Sequence, residues 1–263
     1  MPFLHAINWL YTLSGFGVGL LVGVTGVGGG SLMTPLMILL FSMQPVAAVG
    51  TDLIYACITK TGGSMVYAFN DKVNWRIVGL LSMGSLPASA ATLAILKLLG
   101  TSSAAANGIV TKVLAVALVL TVISLLFRNQ IIDRYGHRAD ALPKSTLDRY
   151  TVITGIILGV LVTLSSVGAS ALGVTALILL YPRLPIIQIT GSGIVHAVPL
   201  TLVAGLGHLL QGSINVPVLV ALLIGSLPGI FLGSYLAPRM SDTFLRYALA
   251  VTLALVSARL LLM

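Results

Sequence analysis

The sequence predicts an all-α polytopic membrane protein built from two inverted-topology repeats of about five apolar segments each. Three observations lead to this prediction: a very hydrophobic composition, a sequence pattern that recurs after about 140 residues, and two short apolar segments that each follow a run of small residues. Backbone polar groups inside a bilayer have to be paired within the protein, so the apolar segments are expected to be helical. We expect the two half-length helices to meet near the membrane midplane.

The composition is that of a membrane protein. Of the 263 residues, 57% are hydrophobic and 8% are charged, and the mean hydropathy is +1.08, whereas soluble domains carry about 25% charged residues. The formal net charge of +8 would suggest nucleic-acid binding in a soluble protein, but loop charges that set membrane orientation explain it better here. We therefore expect membrane lipid as a partner and no nucleic acid. The N-terminal segment lacks the basic flank of a signal peptide and is expected to remain as the first span.

Ten apolar segments follow one another along the chain. A membrane-spanning helix needs about 20 residues, and two of the segments, 31–41 and 170–181, are too short to span. The other segments are expected at 8–24, 45–69, 75–99, 106–127, 150–164, 185–210, 215–237 and 241–263.

Each short segment follows a break made of small residues. The first break, 25–31, lies in the glycine-rich run 23–31, and each glycine costs about 1 kcal/mol relative to alanine inside a helix. One helix should therefore end near Thr25, and the next should begin between Ser31 and Pro35. The second break is 165–170. Both breaks should be shielded from lipid. They either line a cavity or serve close helix packing, which small residues also favour.

The two halves of the chain share a collinear pattern. The matching elements are Gly-Ser-Leu-Pro at 84–87 and 225–228, Asn74 and Asn215, and Gly-Thr at 50–51 with Gly-Ser at 191–192. We interpret the pattern as a duplication, with the first transmembrane repeat in 1–127, a cytoplasmic linker in 128–149 and the second transmembrane repeat in 150–263.

An odd number of segments per repeat predicts halves of opposite orientation, and the basic residues test this. If the short segments return to the side from which they came, ten of the 14 basic residues share one face, three lie on the other, and Lys60 lies within a span. If each broken pair instead crosses the membrane once, the split is eight against five. The inverted arrangement fits better, with both termini outside and the 128–149 linker in the cytoplasm.

The two arrangements differ in the placement of particular arginines. In the inverted arrangement, Arg183 shares the face of Arg76 and Lys144, whereas Arg259 lies on the other face with Lys112. If the broken pairs cross, Arg183 and Arg259 exchange faces.

Inverted repeats with broken helices are the architecture of secondary transporters. Two half-helix N-termini would present positive dipole ends and free backbone N–H groups to one central site, which suits an anion. We expect a small anion as the substrate. The candidate substrate-binding residues are Thr25, Gly28, Gly29, Gly30, Ser31, Thr51, Ser165, Ser166, Gly168, Ala169, Ser170 and Ser192.

Ionisable residues within apolar segments are costly and are usually functional or paired. Asp52 either carries a coupling proton or lies at the interface near the end of its span. Lys60 either contacts the anion or balances an aspartate. His196 either carries a proton or is a neutral histidine bonded to a helix carbonyl, and His208 is expected at the interface. The candidate hinges, where a proline interrupts an apolar segment, are Pro87, Pro199 and Pro228.

The run Gly-Val-Thr-Gly-Val-Gly-Gly-Gly-Ser at 23–31, followed by Pro35 and by Ala-Val-Gly-Thr at 48–51, resembles the TauE/SafE-type sulfite exporter family. The residues at 191–192 and 225–229 are similar to the second half of that family. The resemblance implies an inner-membrane carrier for small sulfur-containing anions such as sulfite, sulfoacetate or related organosulfonates. Asp52 departs from the family pattern, which often has a small hydroxyl residue there, and the second break is poorer in glycine than the first.

The function expected from the sequence is secondary transport by alternating access, with proton coupling as a further hypothesis and an anion channel of the same architecture as the alternative. An enzyme is not expected, because the chain has no glutamate for a His-Glu-x-x-His zinc site and no phosphate-binding loop with its lysine. We expect no cofactor and no metal.

Overall fold

The computed structural model describes residues 9–25, 30–139, 143–169, 171–236 and 242–261. These residues form ten helices and no strand. The helices are α1 (Trp9–Thr25), α2 (Gly30–Phe41), α3 (Pro45–Phe69), α4 (Trp75–Leu99), α5 (Ala104–Ala139), α6 (Lys144–Ser165), α7 (Ala171–Leu180), α8 (Ile186–Leu210), α9 (Val216–Leu236) and α10 (Asp242–Leu261).

The all-α polytopic prediction is confirmed. Within the described residues, five helices (α4, α6, α8, α9 and the part of α5 from Ala104 to Phe127) are long and apolar enough to cross a membrane. Large apolar side chains such as Leu98, Leu210 and Phe231 are strongly exposed on the outer surface. Because contact between apolar side chains and water is unfavourable, we expect lipid to cover this exposed apolar surface.

The two short segments form half-length helices, as the sequence predicts. The helix α2 has 12 residues and α7 has 10, which is too few to cross a bilayer. The second break turns in a left-handed conformation: Ser166 has φ 57° and Gly168 has φ +110°. Glycine adopts such values without the steric cost that other residues meet. This reversal separates α6 from α7.

The halves interlock instead of standing side by side. The helix α1 packs most extensively on α9, and α6 packs in the same way on α4, so the first helix of each half lies against the fourth helix of the other. Glycines permit this close approach, because a Cβ at Gly19 would overlap Ser226 O and a Cβ at Gly159 would overlap Ser85 O. Small residues allow helix backbones to approach in this way in membranes.

The centre of the molecule is formed by α3 and α8, which pack against each other. The buried side chains of α2, among them Met33 and Met37, join Leu114 and Leu118 of α5 in the largest apolar cluster. The same cluster contains Leu222 of α9 and Leu253 of α10, so elements of both halves pack around the central pair of helices. This position brings the ionisable residues of α3 and α8 together.

The segment 128–149 differs from the expected loop. The helix α5 continues to Ala139 and has 36 residues in all, and α6 already begins at Lys144. A helix can continue beyond the bilayer when its residues are polar, because the backbone hydrogen bonds do not depend on apolar side chains. The greater part of the predicted linker is therefore helical.

Candidate functional site

The buried carboxylate of Asp52 lies on α3 and contacts the half-helix α2. The Asp52 side chain is 0% exposed, so the alternative of an interfacial position in contact with water does not describe it. Thr34 Oγ1 donates a hydrogen bond to Asp52 Oδ2 at 2.5 Å. The other carboxylate oxygen, Oδ1, has no hydrogen-bond partner among the described residues. A buried polar atom without a partner is uncommon and points to a ligand, a water or a proton.

The second break lies close to this carboxylate. The hydroxyl of Ser166 is near enough to interact with Asp52, is buried, and has no hydrogen-bond partner among the described residues. The backbone N–H groups of Gly168 and Ala169 are buried and have no acceptor within the described part of the chain. The hydroxyl of Ser165 is instead occupied, since it donates to Leu161 O and accepts from Val167 N. Donors thus collect at the break beside Asp52.

Lys60 is a basic residue on α3, the helix that also carries Asp52. Its side chain is 9% exposed, and its charge interacts with Asp52, Cys57 and His196. No carboxylate of the described residues is within ion-pair distance of the Lys60 ammonium. Side chains on a helix tilt towards its N-terminus, which directs Lys60 back towards the turn that carries Asp52. The ammonium is therefore near a counter-charge but not in contact with it.

His196 reaches the cluster from α8. His196 Nε2 and Ser85 Oγ share a hydrogen bond of 2.8 Å, and His196 Nδ1 has no partner among the described residues. The partner is a hydroxyl, not the helix carbonyl that the simpler interpretation predicts. The corresponding residues of the other half are Tyr55 and Ser226, but the Tyr55 hydroxyl has no hydrogen-bond partner among the described residues. The structure therefore brings together Asp52, Lys60 and His196 with Ser166 of the second break. We call these four residues the central cluster.

Thr51 and Ser192 occupy equivalent places and make equivalent contacts. Thr51 Oγ1 accepts a hydrogen bond from the backbone N–H of Asn215 at 3.1 Å and donates to Ala47 O. Ser192 Oγ accepts from the backbone N–H of Asn74 at 2.8 Å and donates to Gln188 O. Both hydroxyls are thus engaged in holding the start of a helix from the other half. Their predicted role in substrate binding stays a prediction.

Each break is described in part. Gly28 and Gly29 lie outside the described residues, as does Ser170 of the second break. Thr25 is the last residue of α1 and Gly30 the first of α2, and Ser31, which is buried, follows Gly30. The predicted hinges all lie inside helices: Pro87 in α4, Pro199 in α8 and Pro228 in α9.

Sequence reasoning missed two hydroxyls of the cluster, Thr34 and Ser85. Thr34 is 18 residues from Asp52 in sequence, and Ser85 is 111 residues from His196. Ser85 lies in the Gly-Ser-Leu-Pro motif that recurs in the second half, and this recurrence could have identified it from the sequence. No feature of the sequence marks Thr34. His208 was expected at the interface, but it is fully buried and its Nε2 hydrogen-bonds Thr163 O at 3.1 Å.

Basic residues line a cavity at each end of the molecule. A cavity of about 390 Å³ is lined by Arg76, Lys144 and Arg183 together with Asp148, which forms a 2.6 Å ion pair with Arg76. Burial raises the pKa of the Tyr181 hydroxyl in the same cavity. A second cavity, of about 820 Å³, is lined by Lys112 and Arg259 and by no acidic residue among those described. Both cavities carry a positive charge that attracts anions.

The basic residues of each cavity come from separate parts of the chain. Arg183 shares a cavity with Arg76 and Lys144, and Arg259 shares the other cavity with Lys112. The inverted arrangement of the two halves stays a prediction.

Comparison with known proteins identifies the family of this chain. Residues 11–260 match the family described as sulfite exporter TauE/SafE. Two proteins of Bacillus subtilis (strain 168) are similar over nearly their whole length: the probable membrane transporter protein YjnA is 36% identical over 90% of this chain and 93% of its own, and the probable membrane transporter protein YdhB is 28% identical over 94% and 97%. No solved structure matches the chain significantly. The chain therefore belongs to the sulfite exporter TauE/SafE family of membrane transporters.

Proposed function

We propose that this protein is a secondary transporter that moves a small sulfur-containing anion, such as sulfite, sulfoacetate or a related organosulfonate, across the cytoplasmic membrane by alternating access. The family supplies the general class of transporter and the name of one anion. The choice of a sulfur-containing anion rests on that name and on the chemistry of the central cluster. A sulfonate or sulfite group carries several acceptor oxygens, which suit backbone N–H groups and an ammonium.

The observation that carries this proposal is a set of donors in the second break, which has Asp52 as a neighbour in common with the buried Lys60. The N–H groups of Gly168 and Ala169 have no acceptor among the described residues. The hydroxyl of Ser166 makes no hydrogen bond there although Asp52 is near it, and Lys60 has no ion pair there. Such groups are costly to bury unless something accepts their hydrogen bonds. A small oxyanion at this place would satisfy them together.

The paired contacts of the two halves support an inverted repeat. Thr51 receives its hydrogen bond from Asn215 just as Ser192 receives one from Asn74, and α1 lies on α9 as α6 lies on α4. We take the end with Arg76, Lys144 and Arg183 as cytoplasmic, because most basic residues share that face in this arrangement. Both termini then lie outside.

Proton coupling is the second part of the proposal. Asp52 and His196 are almost completely buried, and each has one side-chain atom without a partner among the described residues. Asp52 is therefore able to accept a proton at Oδ1 without first breaking a hydrogen bond at that atom, whereas a proton on His196 Nδ1 would have no acceptor among the described residues. Ionisable groups in such positions are typical of proton relays in transporters.

The test is transport by the purified protein in proteoliposomes. Saturable uptake of labelled sulfite that is accelerated by unlabelled sulfite on the other side would support a carrier. Large single-channel currents without such counterflow would indicate the anion channel. Substrate choice is tested by thermal stabilisation with sulfite, sulfoacetate, thiosulfate, sulfate and simple carboxylates, since a ligand at 100 times its dissociation constant stabilises by about 2.7 kcal/mol. Absence of both counterflow and stabilisation would overturn the proposal.

A further inference from the structure

We infer that the central cluster binds one singly charged anion together with one proton, with Lys60 holding the anion and Asp52 holding the proton. This inference rests on the proposed transport function and deepens it. It names the charge class of the substrate, which is a monovalent oxyanion, and the direction of coupling, which is symport. The argument starts from the charges that the cluster contains.

Few titratable or charged groups lie near Asp52 and Lys60. On α3 itself these are Tyr55, which lies near Asp52, and Cys57, which lies near Lys60. From α2 and from the second break come only the hydroxyls of Thr34 and Ser166, and the residues of both breaks contain no ionisable side chain in the sequence. The described residues of α5, α6 and α9 direct no charged group at Asp52.

The remaining titratable group is His196, which faces Lys60 from α8. A protonated imidazole has two N–H donors, but the Nδ1 position of His196 is buried and has no acceptor among the described residues. A cation beside Lys60 would also be repelled by it. His196 is therefore neutral beside an empty site, and the cluster then contains one positive and one negative charge.

This charge balance determines what can bind. With Asp52 ionised and Lys60 protonated, the empty site is neutral, and an added monovalent anion would leave a net charge of −1 in a place that water does not reach. An uncompensated buried charge is strongly unfavourable. Protonation of Asp52 as the anion binds returns the site to neutrality, because the anion then replaces the carboxylate as the partner of Lys60.

The geometry permits this exchange of partners. Lys60 and Asp52 are eight residues apart on one helix, which is about 12 Å along its axis, and they interact without forming an ion pair. The Lys60 ammonium thus has no direct ion-pair partner among the described residues, and an anion would supply one. Asp52 Oδ1, which has no hydrogen-bond partner among the described residues, is free to take the proton while Thr34 keeps its bond to Oδ2.

The charge pair is present in one half of the molecule alone. The residues at the corresponding positions of the second half are Gly193 for Asp52, Val174 for Thr34 and Thr201 for Lys60, and a Cβ at Gly193 would lie 3.2 Å from Val174 Cγ2. The corresponding place is therefore filled by apolar packing. A single charge pair predicts a single proton and a single anion for each transport cycle.

The substrate test compares ethanesulfonate, with one charge, and sulfoacetate, with two, as competitors of labelled sulfite uptake at one pH. Ethanesulfonate is expected to compete at least tenfold more strongly. Stronger competition by sulfoacetate or by sulfate would overturn the assignment of a monovalent site, although counterflow itself would still support a carrier.

The coupling test uses proteoliposomes with an imposed pH gradient and no membrane potential. One proton per anion gives about tenfold accumulation for each pH unit. In Asp52→Asn, which cannot release a proton, the accumulation ratio is expected to fall to 1, and the concentration for half-maximal thermal stabilisation by ethanesulfonate should no longer vary with pH. Asp71→Asn is the matched control, because it removes an exposed carboxylate in a turn outside the cluster and should accumulate the anion like the unmodified protein.

Lys60 is tested by Lys60→Gln and Lys60→Arg. The first should abolish stabilisation by ethanesulfonate, and the second should restore part of it, because it restores the charge. Both variants are first checked for folding by their elution and unfolding midpoint in detergent. Accumulation by Asp52→Asn that still follows the pH gradient, or equal stabilisation of Lys60→Gln and the unmodified protein, would overturn the inference. Absence of counterflow in the unmodified protein would instead overturn the proposed function.

Discussion

The hydroxyl oxygen of Thr51 accepts the backbone N–H of Asn215 at 3.1 Å, across 164 residues of sequence. Asn215 precedes α9 and its side chain in turn accepts from Val218 N, so the contact fixes the beginning of that helix against α3. The same arrangement joins Ser192 and Asn74 at 2.8 Å. Each half therefore positions a helix start of the other through one hydroxyl.

Replacing Thr51 by valine should lower stability. The change keeps the shape of the side chain but removes the acceptor of the Asn215 N–H, and a hydrogen bond of this kind contributes about 0.5–1.5 kcal/mol. The midpoint of thermal unfolding in detergent, without substrate, is expected to fall. Thr51→Ser keeps the hydroxyl and is the control. Equal midpoints for the valine and serine variants would contradict this assignment.

Replacing Thr34 by valine should also be destabilising, because Asp52 Oδ2 loses its donor. Hydrogen bonds to charged groups contribute about 1.5–3 kcal/mol, and Thr34→Ser should recover most of the loss. The readouts are the unfolding midpoint and the pH dependence of uptake, which should change in the valine variant and not in the serine variant. An unchanged pH dependence in Thr34→Val would show that the bond does not influence Asp52.

Replacing two glycines of α1 by alanine, one at a time, should change the stability of the protein in opposite directions. A Cβ at Gly19 would overlap the backbone of Ser226, whereas a Cβ at Gly17 meets no atom within 4 Å. Gly19→Ala should therefore destabilise by about 1–3 kcal/mol through overpacking. Gly17→Ala should stabilise by about 0.5–1 kcal/mol, because alanine is the better helix former. Thermal unfolding of the two variants measures the difference, and shifts of the same sign would refute the close packing of α1 on α9.

The inverted arrangement predicts which loops face the cytoplasm. Cys57 is the single cysteine, so Cys57→Ala provides a background for Asn70→Cys and Ser102→Cys, both at exposed positions at opposite ends of α4. A membrane-impermeant maleimide should label the cysteine at 102 in intact cells and the one at 70 after permeabilisation. Labelling of both after detergent is the control, and the reverse order would place the termini in the cytoplasm.

Much of the helix pattern could be predicted from the sequence, because membrane helices are long, apolar and separated by polar or small residues. The half-length helices α2 and α7 followed from their length and from the breaks before them. The extension of α5 to Ala139 did not follow. Its last turns are charged, and helical structure outside the bilayer leaves no hydropathy signal.

The candidate site was predicted in part. Asp52, Lys60 and His196 were identifiable because ionisable residues are rare in apolar segments. Their partners were not, because Thr34 and Ser85 are ordinary hydroxyl residues that reach the cluster from other helices. His208 was expected near water because of its place at the end of a segment, but the packing of α8 encloses it. Position along a helix does not determine which face a neighbour covers.

The packing of α1 on α9 has a consequence for biosynthesis. At a synthesis rate of about 5–20 residues per second, the ribosome finishes α9 roughly 10–40 s after α1. During that interval the glycine-lined face of α1 has no permanent neighbour in the bilayer. The helix α1 is consequently made long before it can reach its final place, and a chain interrupted before α9 would leave it without its main packing partner.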